Sequence, residues 1–121
     1  MGRGSRATGP QQGAARRLER VGRRMAKGYW IAHVDISDPA AYERYKALNA
    51  APFAEYGARF LVRGGAQDLR EGHLRQRSVV IEFPTIEAAR ACYDSPAYQA
   101  AKAVRDPVST GDMVIVEGYE G

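Results

Sequence analysis

The chain has a single cysteine, Cys92, in 121 residues, so no intramolecular disulfide can form. That scarcity suits a reducing compartment, and a cytoplasmic location is expected. No apolar run approaches the ~18 residues that a membrane-crossing helix requires, so no membrane association is expected. Only two histidines occur, His33 and His73, and no third ligand is recognisable beside them. Neither a metal nor another cofactor is therefore expected. The stretch "VRGGAQ" lacks the lysine-serine ending of a phosphate-binding loop and opens no helix. Aromatic residues interleaved with bases on a sheet face, the hallmark of RNA-binding sandwiches, are also missing.

Acidic residues are scarce in one place. Residues 1–24 hold seven arginines and one acid, Glu19, whereas the remaining 97 residues carry 11 basic and 13 acidic side chains. The overall net charge of +4 thus belongs to the N-terminal tail and not to the body of the chain. A tail rich in Gly, Arg and Ala has too little apolar surface to offset the entropy of ordering. Residues 1–27 are accordingly expected to be disordered, as a tag or an over-long start before Met25, and residues 28–121 to form one domain. Nucleic acid is not an expected partner, because only the tail would attract it.

In the body, "YWIAHVDI" (29–36), "RFLVR" (59–63), "RSVVIEF" (77–83) and "DMVIVEG" (112–118) alternate as strands. Asp38-Pro39 opens a helix that Gly57 closes, and Pro52 is expected to kink or interrupt it near Leu48–Asn49. Thr85 and Ser95-Pro96 open two further helices, over about 86–93 and 96–104. The resulting order predicts an α+β ferredoxin-like βαββαβ sandwich, with helices on one face of a four-stranded antiparallel sheet. Simple alternation places Trp30, Ala32, Val34, Phe60, Val62, Val79, Ile81, Phe83, Val114 and Val116 under the helices. It sends His33, Arg59, Arg63, Glu82 and Glu117 to the other face, together with Ile31, Leu61, Val80, Met113 and Ile115. A face so mixed predicts that a second copy packs on it, sheet against sheet.

The segments "GYWIAHVDISDPAAYERY", "YGARFLVRGG", "RSVVIEFPTIEAARACYDSPAYQAA" and "IVEG" closely resemble domain-of-unknown-function family 1330 of the dimeric α/β-barrel superfamily. The resemblance spans about residues 28–118, with the RGG and EFP blocks and the SPxYQ segment as its specific parts. It implies a ferredoxin-like protomer that pairs as a homodimer. Wider relatives include cofactor-free monooxygenases, muconolactone isomerases and haem-degrading enzymes, but none of their catalytic signatures is identifiable here.

The candidate site lies in the cleft between paired sheets. Arg59 and Arg63 would offer forked donors to an anionic or polar organic ligand, and His33 or Glu82 would move a proton. Asn49 and Tyr42 would rim the cleft from the helix. This arrangement fits a cofactor-independent isomerase or oxygenase-like activity. The competing expectation is a purely structural or stress-associated dimer in which arginine and glutamate satisfy one another.

Overall fold

The computed structural model describes residues 26–120. Apart from its last two residues, the expected disordered tail lies outside them. The elements are β1 (Gly28–Ile36), α1 (Pro39–Glu55), β2 (Arg59–Arg63), β3 (Arg77–Phe83), α2 (Ile86–Asp94), α3 (Pro96–Arg105), a 3-10 turn (Asp106–Val108) and β4 (Ser109–Glu117). The strands form one antiparallel sheet in the order β2-β3-β1-β4, the ferredoxin-like sandwich, with its second helix divided in two. Among the described residues no helix is long and apolar enough to cross a membrane.

The helix boundaries follow from their caps. Asp38 accepts a bond from the Ala41 amide, Thr85 from Ala88 and Ser95 from Tyr98. Each satisfies an amide that has no partner in the first helical turn. Pro39 and Pro96 occupy first positions, where a missing N–H costs nothing. At its C-terminus α1 ends in a Schellman motif: the Gly57 and Ala58 amides donate to Ala54 and Phe53, with Gly57 at φ +75°. Pro52 does not interrupt this helix. It lies in the last turn with its ring fully buried, and α1 continues to Glu55. Asn49 is buried on its inner side, while Leu48 is half exposed.

Trp30 organises the core. Its ring lies 4.9 to 5.8 Å from those of Tyr98, Phe83, Phe53 and Tyr93. Its indole N–H donates to the Ala89 carbonyl at 2.9 Å, so the only buried tryptophan leaves no polar atom unpaired.

The sheet departs from simple alternation in two strands. In β4, Ile115 pairs with Trp30 and Met113 with Ala32. Met113 and Ile115 therefore lie under the helices, and Val114 and Val116 face outward, the reverse of the expected parity. Both alternate sets in β4 are apolar, so composition cannot choose between them; the register with β1 does. The strand also starts at Ser109 and not at Asp112, because β1 extends to Ile36 and pairs along its full length. In β2 a bulge between Phe60 and Val62 shifts the register. Val62 then pairs with Val80 on the open face, and Arg63 pairs with buried Val79 on the helix side.

Candidate functional site

The bulge divides the expected constellation. Arg59, Glu82 and His33 stand on the open face; Arg63, Asn49 and Tyr42 belong to the helix side. Arg63 does not join Arg59, since its guanidinium lies 4.0 Å from the centroid of the Phe60 ring. Glu117 pairs with Gly28 at the far end of the sheet.

On the open face the charged groups satisfy one another. Arg59 Nη2 stands 3.3 Å from Glu82 Oε1, and the Tyr29 hydroxyl donates to Glu82 Oε2 at 3.2 Å. Burial, together with the bond to Glu82, raises the Tyr29 pKa, which keeps this hydroxyl a donor. At the other end of the face, His33 Nδ1 lies 2.9 Å from Ser78 Oγ. Leu61 and Val62 on the β2 edge and Val114 and Val116 on the β4 edge are 40–54% exposed, and Val80 and Ile31 join Val62 to Val114 in one apolar row across the open face.

The helix side holds a different set. A cavity of about 70 Å³ lies between the sheet and α1/α3, bounded by Trp30, Val34, Tyr42, Tyr45, Tyr98 and Arg105. A water needs roughly 10–15 Å³ measured this way, so the space suits a carboxylate-sized group or a few waters. The α1 spacing aims Tyr42 and Tyr45 into the same layer, with ring centroids 5.2 Å apart. The Ser95 cap on α3 fixes Tyr98, whose hydroxyl sits 2.7 Å from that of Tyr45. One of these hydroxyls donates to the other, and the second hydrogen is left to point elsewhere.

Two arginines flank the tyrosines. The Arg105 guanidinium lies 5.5 Å from the Tyr45 ring centroid and that of Arg77 lies 5.7 Å from the Tyr42 ring centroid. Each has a buried Nε with no hydrogen-bond partner. Arg105 pairs with Asp106 only loosely, at 3.6 Å through Nη2. Burial raises the pKa of Tyr98, and of Tyr42 despite the nearby Arg77 and Arg105, so both hydroxyls remain protonated donors. Asp112 also borders the cavity, but its carboxylate is exposed and pairs with Arg75 at 3.1 Å, so the tyrosine hydroxyls and the Arg105 guanidinium are left as the donors at the cavity. A shallow cleft of about 520 Å³ between α3 and the edge strand β4 shares Arg105, Gly111 and Met113 with it and offers a route from the surface.

Sequence reasoning singled out Tyr42, but missed Tyr98, Arg77 and Arg105. Nothing in sequence separates an arginine at a strand start or helix end from an ordinary surface charge. Cys92 is fully buried near the Pro52 carbonyl. Among the described residues no group of three or more His, Cys, Asp and Glu is placed to hold a metal ion.

The fold is that of ferredoxin-like proteins with solved structures. A protein of unknown function from Rhodopseudomonas palustris superposes with a TM-score of 0.66 at 14% identity, covering 89% of this chain and 94% of that one. SnoaB, a cofactor-independent oxygenase from Streptomyces nogalater, gives 0.54 at 19% identity, covering 79% and 96%. A dimeric ferredoxin-like protein of unknown function from Thermobifida fusca gives 0.52 at 23%, covering 78% and 91%. A comparison with the curated proteins finds no match. The chain belongs to the family described as Domain of unknown function (DUF1330), which it matches over residues 27–119.

Proposed function

We propose that this protein is a cytoplasmic homodimer that holds a small anionic organic molecule in the tyrosine–arginine cavity. The observation that carries the reading is the excess of donors there: the Tyr45–Tyr98 hydroxyl pair beside Arg105, whose buried Nε has no partner. An unpaired buried donor costs ~1–3 kcal/mol, and a carboxylate or enolate oxygen removes that cost. The same donors would stabilise negative charge developing on an oxygen, the electrostatic requirement of a cofactor-independent isomerase or oxygenase-like reaction. The shared fold with SnoaB supports that class by analogy alone.

The homodimer reading is supported by the exposed strip of Val62, Val114 and Val116 and by fold neighbours described as dimeric. Sheet-to-sheet packing would cover the strip and enclose the Arg59–Glu82–Tyr29 array. The mutual satisfaction of that array favours a structural role for it, which moves the ligand site from between the sheets to beneath the helices.

Native mass spectrometry on the purified protein, followed by calorimetric titration with small carboxylates such as benzoate, tests the reading. A dimer that binds carboxylate, and loses that binding in Arg105→Gln with the fold intact, is expected. A folded dimer indifferent to every carboxylate would instead favour a purely structural or stress-associated module.

A further inference from the structure

The tyrosine–arginine cavity is centred on one small side chain, Ala32 of β1. Trp30 and Val34 stand two residues to either side of it on the same face of the strand, and Val79 and Met113 are its partners across the ladder. All four border the cavity, as Ala32 does. The inner face of the sheet thus carries a single methyl group among large neighbours, and the hollow is the volume that Ala32 leaves unfilled. A hollow costs stability in proportion to its size, and a β-branched residue at a strand centre would remove that cost. Gly111, the other small residue in the lining, cannot be enlarged in the same way, because a Cβ there would meet the His33 carbonyl oxygen.

The lining differs from one part of the hollow to another. Arg105 borders both the cavity and the cleft that leads to the surface, so its guanidinium stands at the mouth. Over the sheet, Ala32, Val34, Val79, Ile81 and Met113 offer no hydrogen-bonding side chain. Lys102, the other cation in the cleft, is held by Asp106 at 2.8 Å, so a second anionic group would find no free cation there. At ~10–15 Å³ per water, the cavity of about 70 Å³ has room for roughly five waters, about the bulk of a four-carbon acid.

On the carboxylate reading of the cavity, on which this rests, we infer that the site also selects by size. It takes a monocarboxylate with a compact apolar body, about four carbons in all, and Ala32 is the residue that sets the limit. The carboxylate accepts from Arg105 Nε and from the free hydroxyl hydrogen of the tyrosine pair, and the body lies over Ala32 against Val79 and Met113. Dicarboxylates are rejected because their second charge would be buried without a partner. Long chains are rejected because Trp30 and Ile81 bound the hollow beyond Ala32.

The test is calorimetric titration of the full chain with acetate, butyrate, octanoate and succinate, repeated on Ala32→Val. Succinate matches butyrate in length and differs in its second charge. Butyrate is expected to bind about tenfold more tightly than either octanoate or succinate. Ala32→Val should weaken butyrate by about tenfold, leave acetate unchanged and raise the thermal midpoint, since it fills the hollow. A merely structural alanine would not move stability and affinity in opposite directions. If Ala32→Val does not fold, Ala32→Cys, a smaller enlargement, carries the same comparison. A parent chain that binds no carboxylate overturns the site and its size limit together. Octanoate or succinate equal to butyrate, or undiminished butyrate affinity in the enlarged variant, overturns the size limit and leaves the carboxylate site standing.

Discussion

Arg77 Nη1 stands 2.6 Å from the point where a Cβ on Gly64 would lie, and Gly64 itself sits at φ +75°. The residue that closes β2 is thus a glycine for two reasons, left-handed backbone and contact with a guanidinium that lies over Tyr42. Gly64→Ala is expected to lower stability by ~1–3 kcal/mol, read as a lower denaturation midpoint. Adding Arg77→Ala should recover the steric share and leave the backbone share. A single variant as stable as the parent would remove Gly64 from the reasons that Arg77 is held in place.

The Tyr45–Tyr98 hydroxyl pair is buried in both partners. Tyr98→Phe leaves the Tyr45 oxygen without its partner and is expected to cost about 1–3 kcal/mol, with Tyr45→Phe costing a similar amount. Converting both leaves no unpaired hydroxyl, so the double variant should be more stable than the sum of the single changes predicts. A double-mutant cycle by chemical denaturation measures that coupling, and strict additivity would show that the two hydroxyls do not depend on one another.

Most of the architecture was legible because its signals are local. Asp38-Pro39, Gly57, Thr85 and Ser95-Pro96 each mark a helix boundary by their own chemistry, and β1 and β3 alternate cleanly. The faces of β2 and β4 were not, since they depend on partners. One bulged residue sends Arg63 to the helix side, and β4 offers two equally apolar alternates that only its pairing with β1 can rank. The candidate site suffered from the same cause. A cleft built from Arg59 and Arg63 together cannot survive a register shift between them, while Tyr98 and Arg105 on α3 meet Arg77 at the start of β3 and Tyr42 and Tyr45 on α1, three elements that no sequence spacing connects.

The outward valines carry the dimer prediction. Val114 is 54% exposed, next to Ile31 in the ladder and far from the helix-side core. Val114→Lys puts a charge into the proposed contact at little cost to the protomer, since surface substitutions usually stay within about 0.5 kcal/mol. It should convert a dimer into a folded monomer, seen by native mass spectrometry with an unchanged far-ultraviolet spectrum. A dimer that persists in the Val114→Lys variant would mean that the sheets are not the contact.

Cys92 gives a prediction in pH. Burial pushes its thiol up to about 12, from an ordinary value near 9, with the Glu55 charge acting in the same direction. The thiolate is the reactive form, so Cys92 in the folded chain should resist a disulfide reagent at pH 8 and react at once after denaturation. The linkage has a definite sign. Below about pH 9 the thiol is protonated whether the chain is folded or not, and it contributes no pH dependence. Above that pH the unfolded thiol releases its proton while the folded one keeps it, so stability falls as pH rises. The slope is ~1.4 kcal/mol per pH unit for one proton, and it flattens near pH 12. Tyr42 and Tyr98, also raised by burial, steepen the loss above about 10, where free tyrosine ionises. The interval between about pH 9 and 10 therefore isolates the cysteine. Urea denaturation across it should show the decline in the parent chain and a flatter curve in Cys92→Ala, whatever the absolute cost of that variant. Parallel curves would place the Cys92 proton release at the same pH in both states and contradict its burial.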